Sequence, residues 1–153
     1  MNEPLKPINT SFYDFEKLVT GGFVYVDKTA QIYELAKPTA DGIYYLPRPR
    51  RFGKSLMIST LKALFQGRRE LFRGLAIERT DWDWEREVYP VIHLDMSKAS
   101  ASTLVEFNRM LSKVLSFICR DFDIPFDASA SPAENFLTLL ESLPEKAKSA
   151  NAK

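Results

Sequence analysis

The sequence predicts an α/β fold, a parallel sheet with flanking helices. Three observations predict it. Short apolar runs rich in β-branched and aromatic residues, FVYV (23–26), IYYL (43–46) and VIHLD (91–95), read as buried strands. Other stretches repeat apolar residues at three-to-four spacing and read as helices. Strands that alternate with helices place the helices on the faces of a parallel sheet.

The elements follow in order. Residues 1–10 contain Pro4 and Pro7 and no periodicity, so they read as an extended lead-in. Residues 11–20 read as a short helix with Phe12, Phe15, Leu18 and Val19 on one side, stopped by Gly21 and Gly22. After FVYV, Asp27 and Thr29 offer polar starts for a helix that reaches Leu35 or Ala36. Pro38, Gly42, Pro47 and Pro49 forbid a continuous helix around IYYL. From Lys54 the period changes. Met57, Leu61, Leu64 and Phe65 form the stripe of an amphipathic helix that ends near Gln66, with Gly67 as its stop.

Residues 68–87 are polar, with Leu71, Phe72, Leu75 and Ile77 as apolar anchors. Trp82 and Trp84 stand there among acids, a partner surface or, more commonly, the cover of a core edge. VIHLD is entered through Pro90. Ser102 or Thr103 starts a long helix with the stripe Leu104, Phe107, Leu111, Val114, Leu115 and Ile118. Ser131-Pro132-Ala133-Glu134 is a capping box with Pro at the first helical position, and its helix should reach about Leu143, before Pro144. Residues 145–153, EKAKSANAK, are a polar tail expected to be disordered, which leaves 11–144 as the structured domain.

The composition narrows the function classes. A chain of 153 residues can fill one core. Its net charge of +1 argues against a polybasic protein. The single cysteine, Cys119, rules out a disulfide scaffold, and one histidine (His93) beside it makes a His/Cys zinc site untenable. Cys119 sits in an apolar helical run and reads as core rather than as a nucleophile served by His93. No run approaches the ~20 apolar residues of a membrane span, and the N-terminus lacks a signal-peptide core. The expectation is a cytoplasmic protein with no membrane partner.

The chemistry concentrates in residues 47–55, PRPRRFGKS. The P-loop pattern G-x-x-x-x-G-K-[ST] sits between a strand and a helix. Residues 48–55 match its last three positions, Gly53, Lys54 and Ser55, with Arg48 in place of the first glycine. Gly53 admits a close backbone approach to phosphate oxygens. Amides at the start of the following helix favour an anion. Lys54 offers a mobile ammonium and Ser55 a hydroxyl for Mg²⁺. Two other readings of the same residues are a solvated arginine-rich connection and a loop that binds nucleic-acid phosphates. Asp95, at the end of an apolar run, also has two readings, a metal-holding Walker B acid or a turn cap shared with Ser97. No second acid follows it, which favours the turn cap.

Three segments together carry a resemblance. FYDFEKLVTGGFVYVDKTAQIYEL, YYLPRPRRFGKSLMISTLKALFQGRRELFRGLAI and YPVIHLDMS, in that order, resemble the AAA-ATPase-like domain of a large group of bacterial proteins. RPRRFGKS and YVDKT are its hallmarks, and Arg in place of the first P-loop glycine is the family's own habit. The resemblance implies a P-loop NTPase-like parallel sheet, incomplete at the C-terminus of this chain. It implies a variant Walker A loop that binds ATP with Mg²⁺ through Pro49, Arg50, Arg51, Phe52, Gly53, Lys54 and Ser55, with Ser55 as metal ligand. It places YVDKT near the nucleotide. It also implies a later acidic Walker B strand, so hydrolysis by these residues themselves stays open, and often a C-terminal nuclease-like domain. The competing expectations are an ATPase, a non-hydrolysing nucleotide-binding module, and a fragment whose arginine loop binds nucleic acid or a protein.

Overall fold

The computed structural model describes residues 5–37, 42–47, 49–85, 88–96 and 101–151. Among them the regular elements are helical: α1 (Phe15–Thr20), α2 (Thr29–Ala36), α3 (Lys54–Phe65), α4 (Leu104–Asp121) and α5 (Pro132–Asn151). Two 3₁₀ turns, Arg69–Phe72 and Ala76–Arg79, follow α3. No described residue lies in a β-strand. The expected α/β class, with its P-loop NTPase-like parallel sheet, is therefore corrected to a helical one.

The physical reason lies in what a β-prone run needs. Its preference is for a pleated, half-covered surface, and a strand exists only when a second strand completes its ladder. FVYV meets helices instead. Phe23 packs edge-to-face on Phe12 with ring centres 5.3 Å apart, and Tyr25 does so on Phe15 at 5.1 Å. The alternate residues, Val24 and Val26, face outward. Val24 donates its amide to the Pro7 carbonyl at 2.9 Å, a loop contact outside any ladder. In IYYL, Ile43 and Tyr45 are 93% and 89% exposed, so this run is not a buried strand. In VIHLD, Ile92 packs against a helical core while His93, Leu94 and Asp95 are exposed.

The chain divides into two compact units, residues 1–91 and 92–153. In the first, Phe15, Leu64, Phe72 and Ile77 are fully buried, with Ile32, Leu71 and Trp82 around them. α1 starts at Phe15 because Asp14 caps it, its Oδ1 accepting the Lys17 amide at 2.9 Å. α3 buries Thr60, Ala63 and Leu64 and ends before Gly67, whose φ of 68° reverses the chain. The anchors Leu71, Phe72 and Ile77 then sit on the two 3₁₀ turns and fill the core beside α1 and α3.

In the second unit, α4 and α5 enclose Leu115, Cys119, Ile124, Leu139 and Leu143. Thr103 caps α4 by accepting the Glu106 amide at 3.2 Å, and Glu106 returns the bond to the Ser102 amide at 2.9 Å. The capping box of α5 forms as its residues predict: Ser131 accepts the Glu134 amide at 3.3 Å and Glu134 accepts the Ser131 amide at 2.7 Å. α5 runs on through Pro144 to Asn151, past the expected stop at Leu143 and into the expected tail. Proline removes one backbone donor and crowds the preceding turn, which bends a helix without always ending it. Cys119 is buried and burial raises its thiol pKa, so it belongs to the core, as its apolar run predicts.

Candidate functional site

The residues singled out by sequence meet at the start of α3. Gly53 is its N-cap, at φ 76° and ψ 13°, and its carbonyl accepts the Met57 amide at 2.9 Å. No side chain caps this end and no acid stands in the first turn. Gly53 offers no capping side chain of the kind Ser, Thr or Asp supplies elsewhere, and no acid within the first turn of α3 offsets the positive end of the peptide dipoles. Arg51 is also left-handed, at φ 66°, which costs a non-glycine residue about 1–2 kcal/mol. Pro49, Arg50, Arg51, Phe52, Gly53, Lys54 and Ser55 are all exposed.

Gly53 is required for its dihedral rather than for a close approach. A Cβ built there meets nothing within 4 Å. Gly67, at the other end of α3, differs: its Cβ would stand 2.9 Å from Val88 Cγ2. Arg48 lies outside the described residues, as does Ser97, the expected turn partner of Asp95. Asp95 belongs to the second unit and is engaged in an interaction of its own.

The loop is not mounted as a Walker A loop requires. That geometry hangs on a strand of a buried sheet, which aims the backbone amides at the phosphates. Ile43–Leu46, the run that should provide the strand, forms none, and Ile43 and Tyr45 are exposed. The variant Walker A assignment is therefore overturned, and ATP and Mg²⁺, with Ser55 as the metal ligand, go with it. The nucleotide as partner rested on the same fold and falls for the same reason. Nothing in the helical arrangement supports the nuclease-like domain or nucleic acid as partners. Among the described residues no group of three His, Cys, Asp or Glu side chains could hold a metal ion, and no helix is long and apolar enough to cross a membrane.

A polar cluster that sequence reasoning left without a role lies at Tyr25–Thr29. Asp27 Oδ1 accepts the Thr29 amide at 2.8 Å and the Thr29 hydroxyl at 2.7 Å. Its Oδ2 accepts the Ala76 amide at 2.7 Å. Thr29 Oγ1, fully buried, accepts the Ile77 amide at 3.0 Å. Burial would raise the Asp27 pKa, but these donors and the Arg79 charge outweigh it and hold the carboxyl below its usual value. The Tyr25 pKa is raised, first by burial, which outweighs the lowering influence of the Thr60 hydroxyl. The signal in the sequence was the two-residue spacing of Tyr25, Asp27 and Thr29. The partners, 48 and 49 residues away at Ile77 and Ala76, carry no such signal.

Comparison with known proteins places the chain. The family model described as "Predicted AAA-ATPase", the AAA-ATPase-like family, matches residues 9–151. An "Uncharacterized protein in vnfD 5'region" of Azotobacter chroococcum mcd 1 is 41% identical over 90 residues, covering 58% of this chain and 17% of that protein. The chain thus spans a small part of the length of that relative. No solved structure matches. The match from residue 9 to 151 takes in both hallmark segments and all five helices, and on it the chain belongs to the AAA-ATPase-like family.

Proposed function

We propose that the loop at the start of α3 binds a tetrahedral oxyanion of the phosphate class, with no base, sugar or metal in the complex. The observation that carries this is the left-handed Gly53 at the start of α3, with no acid in the first turn that follows it. In this reading the amides after Gly53 donate to the anion, and the Ser55 hydroxyl adds a donor. Arg50, Arg51 and Lys54 supply positive charge, Pro49 fixes one backbone dihedral, and Phe52 shapes the loop. The left-handed Arg51 supports it, since backbone strain of this kind concentrates at ligand clamps.

The magnitudes make this a weak site. A helix N-terminus contributes about 0.3–1 kcal/mol to an exposed anion, and exposed cations add comparably little. Affinity on the order of millimolar is expected. The test is an NMR titration with inorganic phosphate against sodium chloride at matched ionic strength. Saturable shifts at the Lys54, Ser55 and Leu56 amides, seen with phosphate alone, are the expected result. Equal shifts with chloride, or none, would refute the site.

A further inference from the structure

The YVDKT segment has an arrangement that phosphate binding does not use. Thr29 is buried and Tyr25 half-buried, while Asp27 is exposed, as are Val26 and Lys28, yet its carboxylate turns back onto the first unit. Three donors occupy the two Asp27 oxygens, out of about four lone-pair sites on a carboxylate. The Thr29 hydroxyl spends its one proton on Asp27 and still accepts from Ile77. Every one of these bonds closes onto the protein, which leaves the carboxylate little capacity for an outside ligand.

The segment joins pieces that are distant in sequence. Asp27 and Thr29 fasten the 3₁₀ turn Ala76–Arg79 to the start of α2. Tyr25 joins the same segment to α1, its ring packed edge-on against the fully buried Phe15 with ring centres 5.1 Å apart. Leu56, in the first turn of α3 next to Ser55, packs against the core that contains Phe15 and Ile77. A second tie runs from the Phe15 amide to Ser59 Oγ at 2.9 Å.

We infer that Tyr25, Asp27 and Thr29 are positioning residues, a junction that sets where the first turn of α3, and with it the loop 50–55, is held. The route runs from the 76–77 amides through Thr29 and Asp27 to Tyr25, from Tyr25 through Phe15 to Ser59 on α3, and along α3 to the loop. It concerns the position of the loop and stands apart from whether the loop binds phosphate.

The test uses two substitutions at one position. Thr29→Val keeps the shape and removes the hydroxyl, while Thr29→Ser keeps the hydroxyl. Thr29→Val should speed amide exchange at Ala76 and Ile77 by about tenfold or more, as expected when a local hydrogen-bonded contact opens. It should also move the ligand-free amide resonances of Gly53, Lys54 and Ser55. Thr29→Ser should return both toward wild type. Asp27→Asn, which keeps size and loses an acceptor oxygen, should repeat the pattern and serves if Thr29→Val does not fold. Unmoved Gly53–Ser55 resonances beside fast exchange at Ala76 and Ile77 would reduce the junction to a local brace and overturn the inference. Failure of Thr29→Ser to restore either signal would also overturn it.

Discussion

The Asp27 carboxylate receives the Ala76 amide at 2.7 Å across 49 residues of sequence. That bond ties the start of α2 to the second 3₁₀ turn, and it makes the stability of the first unit depend on pH. The folded pKa is lowered, so the contribution is fully present above the unfolded carboxylate value of about 3.9 and is lost as pH falls through the folded value. Asp27→Asn should therefore be less stable than wild type at neutral pH, by about 0.5–1.5 kcal/mol given the solvent exposure of the carboxylate, with the difference narrowing below about pH 4. Urea unfolding at a series of pH values checks it. A difference independent of pH would mean that the charge on Asp27 contributes nothing.

Phe72 is fully buried, with its ring centre 4.9 Å from Phe15 and 5.2 Å from Trp84. Phe72→Ala should cost about 3–5 kcal/mol through lost transfer energy and the cavity left behind. Chemical denaturation of the whole chain, followed by tryptophan fluorescence, reads it. A loss under about 1 kcal/mol would show that the 3₁₀ turns do not carry the core.

The two glycines that bound α3 should respond unequally to alanine. Gly53→Ala, at φ 76° with open space around it, costs only the strained dihedral, about 1–2 kcal/mol. Gly67 at φ 68° pays a similar strain and also meets Val88 Cγ2 at 2.9 Å. Thermal melts should rank Gly67→Ala as the more destabilised, and the reverse order would contradict the packing described for the end of α3.

Asn135, 3% exposed, braces the turn before α5 by accepting the Asp127 amide at 2.9 Å and donating to the Asp127 carbonyl at 2.8 Å. Asn135→Ala leaves both groups without this partner and should cost about 1–3 kcal/mol. Faster amide exchange at Asp127, with exchange in α3 unchanged, is the expected signature. Asn135→Asp should rescue only in part, since a carboxylate accepts from the amide but cannot donate to the carbonyl.

What the sequence disclosed depended on how far each signal reaches. Ser131 and Glu134 announce the start of α5 because a capping box closes within four residues. The stripe Met57, Leu61, Leu64 and Phe65 locates α3, and Gly67 marks its end, again by local rules. The sheet was misread because β-propensity at Ile43–Leu46 describes a surface that fits a neighbour, and the neighbour is not encoded locally. The loop 50–55 was legible as charged and glycine-bearing. Its mounting was not, because the motif names residues while the sheet beneath them is a tertiary fact. The Tyr25–Thr29 cluster shows the same limit: its alternation is visible, but the amides of Ala76 and Ile77 that complete it look like any others.

The central claim is that the loop before α3 belongs to a helical unit with no strand behind it. Nuclear Overhauser contacts in the intact chain test this most directly, through the amide and α-protons of residues 23–26 and 43–46. The helical account predicts no cross-strand contacts between amide protons of one segment and α-protons of the other, and sequential helical contacts from Lys54 onward. A ladder of such contacts joining 43–46 to 23–26 would contradict it and restore the parallel-sheet fold.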